Sequence, residues 1–316
     1  MKVILAPMEG LADYWVRRAM TAVAQYDWCV TEFIRVSGTL LPPRVFYRWC
    51  PELQAGARTS SGTPVHVQLL GSDPNCVAEN AAHAVELGAP AIDLNFGCPA
   101  KTVNKHRGGA ALLDEPELVN QVVCRVRRTI AAHVPVSAKM RLGNGDSAHR
   151  LDNAQAIADA GASWLTVHAR TRAQGYRPPA YWEAIAELSE AVTIPIIANG
   201  EIWTVQDAAS CQSQSGCSDL MLGRGAVSNP WLAGQLRGAS TPQPWLNVRE
   251  LMLNYIDAMQ GSGTQKQLSG RVKQWLNYLR RHWPEAEAAL ANVRRYQDTQ
   301  AMRTAIAGIQ ENRKAT

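Results

Sequence analysis

Eight short apolar runs between Val3 and Leu222, separated mostly by stretches with helical patterning, constrain the fold of this chain more than any other feature. The runs are Val3–Ala6, Cys29–Phe33, Val65–Leu70, Ala91–Asn95, Val136–Met140, Trp164–His168, Ile194–Ala198 and Leu220–Leu222. Most are nearly continuous in apolar residues, as expected of strands buried on both faces. Helical patterns fill most of the gaps. Residues 75–87 stop at Gly88, residues 116–131 follow Asp114-Glu115-Pro116, residues 152–160 stop at Gly161, and residues 204–213 begin at Thr204. The segment between Cys29 and Val65, with Pro42-Pro43 and Pro51, reads as loops with short helices. Eight strands alternating with helices predict an α/β fold, a closed (β/α)8 TIM barrel. The rival, a doubly wound open sheet, usually carries an early G-x-G-x-x-G, and this sequence has none.

Polar residues and glycines gather where the predicted strands end. Glu9-Gly10, Gln68, Asn95, Lys139 and Arg141, His168 and Arg170, Asn199-Gly200 and Gly223-Arg224 all stand there. A barrel of this kind carries its active site on that face.

Beyond the barrel, Ser240–Pro244 reads as a linker and the remainder as a small all-α helical bundle. Val248, Leu251, Met252, Tyr255 and Met259 form one apolar stripe. Val272, Trp275, Leu276 and Leu279 form a second, and Ala301, Ala305, Ile306 and Ile309 a third. The expected domains are therefore residues 1–240 and 245–316. The charge follows the same division. Met1–Pro244 carries 21 Lys and Arg against 21 Asp and Glu, whereas Trp245–Thr316 carries 11 against 6, which is the whole net charge of +5. Such asymmetry points to an anionic partner. No apolar run approaches the length of a membrane span, and the apolar start is too short for a signal-peptide core. Seven cysteines (29, 50, 76, 98, 124, 211 and 217) are scattered and never spaced C-x-x-C. This argues against disulfides or a zinc site, and for a reducing, cytoplasmic location with no metal.

Four constellations carry chemistry. Asn95-Phe96-Gly97-Cys98-Pro99 places a thiol on a constrained loop at the barrel mouth. Most lone cysteines are inert and buried, but this position suits a proton donor or a nucleophile. Asn199-Gly200-Glu201 and Gly223-Arg224-Gly225 follow the last two strands, where glycine turns and an arginine fork suit a phosphate. Lys139 and His168, with Gln68, suit a ligand that develops negative charge, such as a reduced flavin. The helix around Arg271–Arg281 buries its apolar stripe and presents Lys273 and Arg280 on one flank and Arg271 with Tyr278 on the other. With Arg294-Arg295 nearby, it suits a phosphate backbone.

These same residues resemble the bacterial tRNA-dihydrouridine synthases almost end to end. The matching stretches are Leu5-Ala6-Pro7-Met8-Glu9-Gly10, Gln68-Leu69-Leu70-Gly71, Asp93 through Asn104, Val167-His168-Ala169-Arg170-Thr171, Asn199-Gly200-Glu201-Ile202 and Gly223-Arg224-Gly225. Met8-Glu9-Gly10, Lys101-Thr102-Val103-Asn104 and Arg271 through Leu276 resemble the C-type branch, which modifies uridine 16 in the D-loop. The resemblance implies an FMN-containing barrel, NADPH as reductant, tRNA as substrate and a helical tRNA-recognition domain, in a chain expected to be a monomer. It implies that Pro7, Met8, Glu9 and Gln68 meet the flavin, that Lys139 reaches it and that His168 helps hold it. Asn199, Gly200, Glu201, Gly223 and Arg224 would cradle the phosphate end. Asn95 would face the uracil, and Cys98 would protonate C5 after hydride reaches C6. Arg35, Arg141, Tyr176, Arg271, Lys273, Arg280 and Arg295 are the expected RNA contacts. Lys105-His106-Arg107 departs from the small residues that relatives can carry there. The barrel residues alone would also permit an FMN-dependent oxidoreductase acting on a free pyrimidine such as dihydroorotate, and an RNA-binding module without catalysis is a further rival.

Overall fold

The structure is a computed structural model that describes residues 1–105, 108–239 and 243–310. His106 and Arg107, Ser240-Thr241-Pro242 of the expected linker, and the last six residues of the expected second domain lie outside the described residues.

The strands are β1 (Val3–Leu5), β2 (Trp28–Val30), β3 (Ile34–Arg35), β4 (Val65–Leu70), β5 (Ile92–Phe96), β6 (Val136–Arg141), β7 (Trp164–His168), β8 (Ile196–Asn199) and β9 (Leu220–Leu222). Every pairing between them is parallel. β1 pairs with both β2 and β9, and β2 pairs with β4, so eight strands close into a ring. The expected barrel is thus present, and all eight apolar runs contribute to it.

One stave differs from the expectation. The run Cys29–Phe33 breaks after Val30 and resumes as β3. Cys29 pairs with Val65, but Ile34 pairs with Leu69, so this side holds one residue more than β4 does. That is the arithmetic of a bulge, which bends a strand and re-aims its side chains. Within the interruption, the Thr31 hydroxyl accepts the Gln68 N–H at 3.0 Å. The bulge also brings Phe33 to the barrel mouth.

Side chains alternate across the strands. Outward residues such as Ile92, Leu94 and Phe96 join the large core under the helices. Inward, Ile4, Ala6, Val30, Ile197 and Met221 form a separate apolar plug, with Trp28 and Trp164 packed against it. Above the plug the inward positions turn polar: Gln68, Asn95, Lys139, His168 and Asn199. Apolar residues share the barrel interior with buried His66, Asp93 and Ser137, and polar groups crown it.

Local signals set the helices. Asp73 caps helix Pro74–Glu86 by accepting the Cys76 N–H, with proline in the first turn, and Thr204 and Asp207 form a capping box on Val205–Ser215. The segment between Cys29 and Val65 holds helix Pro43–Trp49 and a 3-10 turn, Pro51–Ala55.

Four further helices follow: Trp245–Met259, Gln265–Leu279, Pro284–Val293 and Thr299–Ala307. The first two expected stripes are buried throughout. The third is not. Asp298 caps the last helix; Thr299, Met302 and Ile306 are buried and Ala305 and Ile309 pack against the core, while Ala301 is exposed and the helix ends before Ile309. Helix Gln265–Leu279 packs on the short helix Arg224–Ser228 that follows β9. Trp275 Nε1 donates to the Val227 carbonyl at 3.0 Å, and the Ser228 hydroxyl to the Tyr278 carbonyl at 3.0 Å. No helix among the described residues is long and apolar enough to cross a membrane.

Candidate active site

A cavity of about 490 Å3 opens at the C-terminal ends of the strands. All eleven expected flavin contacts line it: Pro7, Met8, Glu9, Gln68, Lys139, His168, Asn199, Gly200, Glu201, Gly223 and Arg224. So do Asn95, Cys98, Arg141 and Tyr176. Arg35, Arg271, Lys273, Arg280 and Arg295 lie outside it. Arg35 and Arg295 are exposed. Arg271 pairs with Asp13, Arg280 pairs with Glu287 at 3.0 Å, and Lys273 Nζ donates to the Tyr296 carbonyl at 2.7 Å.

Cys98 stands on the loop after β5. It is only 6% exposed and packs with Leu70 and Val103. Burial, helped by the charge of Glu9, pushes its thiol above the ordinary value against an Ala100 amide hydrogen bond and the charges of Arg141 and Arg35. It is therefore a protonated thiol near neutral pH. The Asn95 side-chain oxygen holds this loop, accepting the N–H groups of Gly97 and Cys98, each at 2.9 Å. Asn95 Nδ2 donates to Gln68 Oε1 at 2.7 Å, and Gln68 Nε2 to Asp93 at 2.6 Å. Asp93 also accepts from the Ser137 hydroxyl at 2.6 Å.

Lys139 rises from β6 and donates to Asn199 Oδ1 at 3.0 Å. Burial and the neighbouring Arg141 lower its ammonium to about 8, with Asp93 opposing the shift. His168 is held well below its ordinary value by burial and by Arg141, Lys139, Arg170 and Arg224, so its imidazole is neutral. Arg141 is buried and donates to the carbonyls of Gly97, Thr171 and Gly175. It therefore ties the Cys98 loop to the loop bearing Tyr176, whose ring is 52% exposed and lies beneath both Arg141 and Arg224.

The turns after β8 and β9 approach too closely for side chains. Gly200 has a φ of +117°, and a Cβ there would lie 2.7 Å from His168 Cδ2. A Cβ on Gly225 would lie 1.9 Å from the Ile202 carbonyl oxygen. Only glycine satisfies both positions, which keeps side chains out of the two turns beside Arg224. Glu201 accepts from Arg170, from Trp203 Nε1 at 2.8 Å, and sits 3.8 Å from Arg224. Burial opposes its ionisation, but those partners outweigh it and hold the carboxyl below the usual range. Glu201 thus orients Arg224. A flavin mononucleotide fits this donor set: a cation and amide side chains on the barrel crown, and a glycine cradle with an arginine for a phosphate. Among the described residues, no group of three or more His, Cys, Asp and Glu side chains is arranged to hold a metal.

Several contributors were given no role from the sequence. Asp93 and Arg170 stood in the matching stretches, Arg170 also among the strand-end polar residues, but neither was assigned to the site. Trp203, under both Arg224 and Arg281, had no local signal, whereas Gln274 and Tyr278, which line the cavity from the C-terminal helices, lie in the helix the sequence marked for a phosphate backbone. Glu32 is buried and accepts the Gly10 N–H at 2.6 Å, fastening the Pro7–Gly10 turn.

Comparison with known proteins agrees with this arrangement. A family model described as dihydrouridine synthase matches residues 4–312. The tRNA-dihydrouridine(16) synthase of Cupriavidus necator is 50% identical over 98% of this chain and 97% of its own length. That of Aquipseudomonas alcaligenes is 52% identical over 94% and 96%. Among solved structures, an old yellow enzyme homologue from Zymomonas mobilis matches at a TM-score of 0.52 and 14% identity, over 77% of this chain and 90% of its own, which shows a shared barrel fold. The chain belongs to the dihydrouridine synthase family and is an oxidoreductase that reduces uridine to dihydrouridine in tRNA.

Proposed function

We propose that this chain reduces the C5–C6 bond of uridine 16 in the tRNA D-loop, with FMN as its flavin and NADPH as reductant. The observation that carries the reading is the shared cavity. Gln274 and Tyr278 of the C-terminal helices line the same space as Cys98 and Lys139. A free pyrimidine needs no helical appendage at the mouth of its site, whereas a base on a polynucleotide does. The relatives from Cupriavidus necator and Aquipseudomonas alcaligenes, both tRNA-dihydrouridine(16) synthases, support position 16.

In this reading Pro7, Met8, Glu9, Gln68, Lys139 and His168 hold the flavin ring, and Asn199, Gly200, Glu201, Gly223 and Arg224 its phosphate end. When bound and reduced, the flavin supplies a hydride to C6 of the uracil. The target base must leave its stack to enter the cavity. Asn95, with Arg141 and Tyr176, receives it. Hydride addition leaves an enolate that needs one proton at C5, and the Cys98 thiol donates it. Lys139 contributes positive charge while that negative charge develops. Residues 1–240 carry the chemistry and 245–316 the tRNA recognition, with Arg35, Arg271, Lys273, Arg280 and Arg295 as RNA contacts. The enzyme acts in the cytoplasm as a monomer.

Mapping dihydrouridine in tRNA from a strain lacking this gene tests the reading. Loss at position 16 alone, restored by the wild-type chain, is expected. Retention of that modification would sink it, and turnover of free uracil or dihydroorotate without activity on tRNA would favour the small-molecule reading.

A further inference from the structure

We propose that Asp93 is a positioning residue that fixes the direction of a hydrogen-bond chain running through Gln68 and Asn95 to the backbone of the Cys98 loop. Amide side chains can point either way, so a chain of two needs its polarity set from outside. Here both ends are fixed. At one end the N–H groups of Gly97 and Cys98 are obligate donors and require the oxygen of Asn95. Asn95 Nδ2 must then face Gln68 Oε1, which turns Gln68 Nε2 toward β5. At the other end that Nε2 needs an acceptor, and Asp93 supplies one while accepting from Ser137 with its second oxygen.

The placement follows from the barrel. Asp93 and Asn95 are two apart on β5 and so share the inward face, and Gln68 is directly paired with Asp93 across the sheet. Asp93 is 1% exposed and does not line the cavity, so its hydrogen-bonded route to it runs through Gln68, beside its charge acting on Lys139. The consequence is chemical. The oxygen of Asn95 already accepts two hydrogen bonds, and the oxygen of Gln68 already accepts one. The amide edges that remain for ligands are chiefly N–H donors, and these suit carbonyl oxygens.

The inference rests on the cavity being the reaction site, but its test does not require turnover. Asn95→Asp can still accept from the loop but cannot donate to Gln68. If Gln68 turns to meet it, the Gln68 oxygen confronts the Asp93 carboxylate. Asp93→Asn combined with Asn95→Asp restores a complete chain of opposite sense. The readouts are the alkylation rate of Cys98 by iodoacetamide, followed on its own peptide in the full chain, and the FMN dissociation constant. Asn95→Asp should raise the alkylation rate about tenfold, the effect of losing one buried hydrogen bond. The double variant should return to within about twofold of wild type. A second pair is independent: Gln68→Glu should expose the loop, and Asp93→Asn with Gln68→Glu should protect it again. If Asn95→Asp is insoluble, this second pair decides. Single variants as protected as wild type, or doubles no better than the singles, would overturn the proposal. Loss of Cys98 reactivity control with an intact proton-donor role, or the reverse, separates this inference from the reaction assignment.

Discussion

Arg271 of helix Gln265–Leu279 forms an ion pair with Asp13, the residue that caps helix Tyr14–Val23 at the barrel mouth. Asp13 serves both elements: one oxygen accepts the Val16 N–H at 3.0 Å and the other meets the guanidinium. The pair joins the C-terminal helices to the barrel and compensates the charge of Arg271. Lys273 is different, because its partner is the neutral Tyr296 carbonyl and its charge stays available. Lys273→Ala should therefore lower the slope of log affinity for tRNA against log salt by about one unit. Arg271→Ala should change that slope less and instead lower stability by about 1 kcal/mol, since the pair is partly open to solvent. Filter binding across salt concentrations and thermal unfolding separate the two. Equal slope changes in both variants would mean that Asp13 leaves the charge of Arg271 as available to RNA as that of Lys273.

Cys98→Ala should retain flavin, because the thiol is not among the groups that cradle it, and should lose about 10²–10⁴-fold in single-turnover reduction of tRNA. The raised thiol value supports the role, since an acid must begin protonated. Flavin absorbance on the purified variant and rapid-quench turnover check both halves. Undiminished turnover would remove Cys98 from the reaction.

The barrel was legible because eight buried parallel strands leave eight apolar runs, and the strand-end residues marked the catalytic face. The cavity then gathers the residues those motifs named. The bulge after Val30 was not legible, since Cys29–Phe33 is apolar enough to read as one strand and only pairing with β4 shows the extra residue. Of the C-terminal stripe, Ala305, Ile306 and Ile309 pack on the core and Ala301 alone does not, since an alanine has little apolar area to demand burial. Charge on helix Gln265–Leu279 was visible, but its distribution between Asp13 and solvent depends on what the helix packs against.

Lys139 should give the reaction an alkaline limb. Its ammonium lies at about 8 in the free protein, and only the charged form can stabilise developing anionic charge. Log kcat/KM should fall with unit slope, about tenfold per pH unit, as pH rises through that value. Lys139→Arg should move the limb upward, because a guanidinium keeps its charge. His168 is neutral well below this range and should contribute no titration between about pH 6 and 8. A profile flat to pH 9 in the wild type would detach Lys139 from the limb.

The two turns that follow β8 and β9 predict different outcomes for the same small substitution. At Gly225 an added Cβ would meet the Ile202 carbonyl at 1.9 Å, and backbone cannot move aside cheaply, so Gly225→Ala should fail to give soluble protein. At Gly200 the added Cβ would meet the His168 ring at 2.7 Å, a side chain that can shift. Gly200→Ala should therefore fold, with a penalty of about 1–3 kcal/mol from the left-handed backbone and the displaced ring. Its cost should appear in the cofactor site. FMN affinity should drop at least about tenfold, which fluorescence titration of the apoprotein would measure. His168→Ala added to Gly200→Ala removes the clash but not the backbone strain, so it should recover stability in part. Full recovery would show that the ring contact alone demands glycine, and no recovery would assign the requirement to φ.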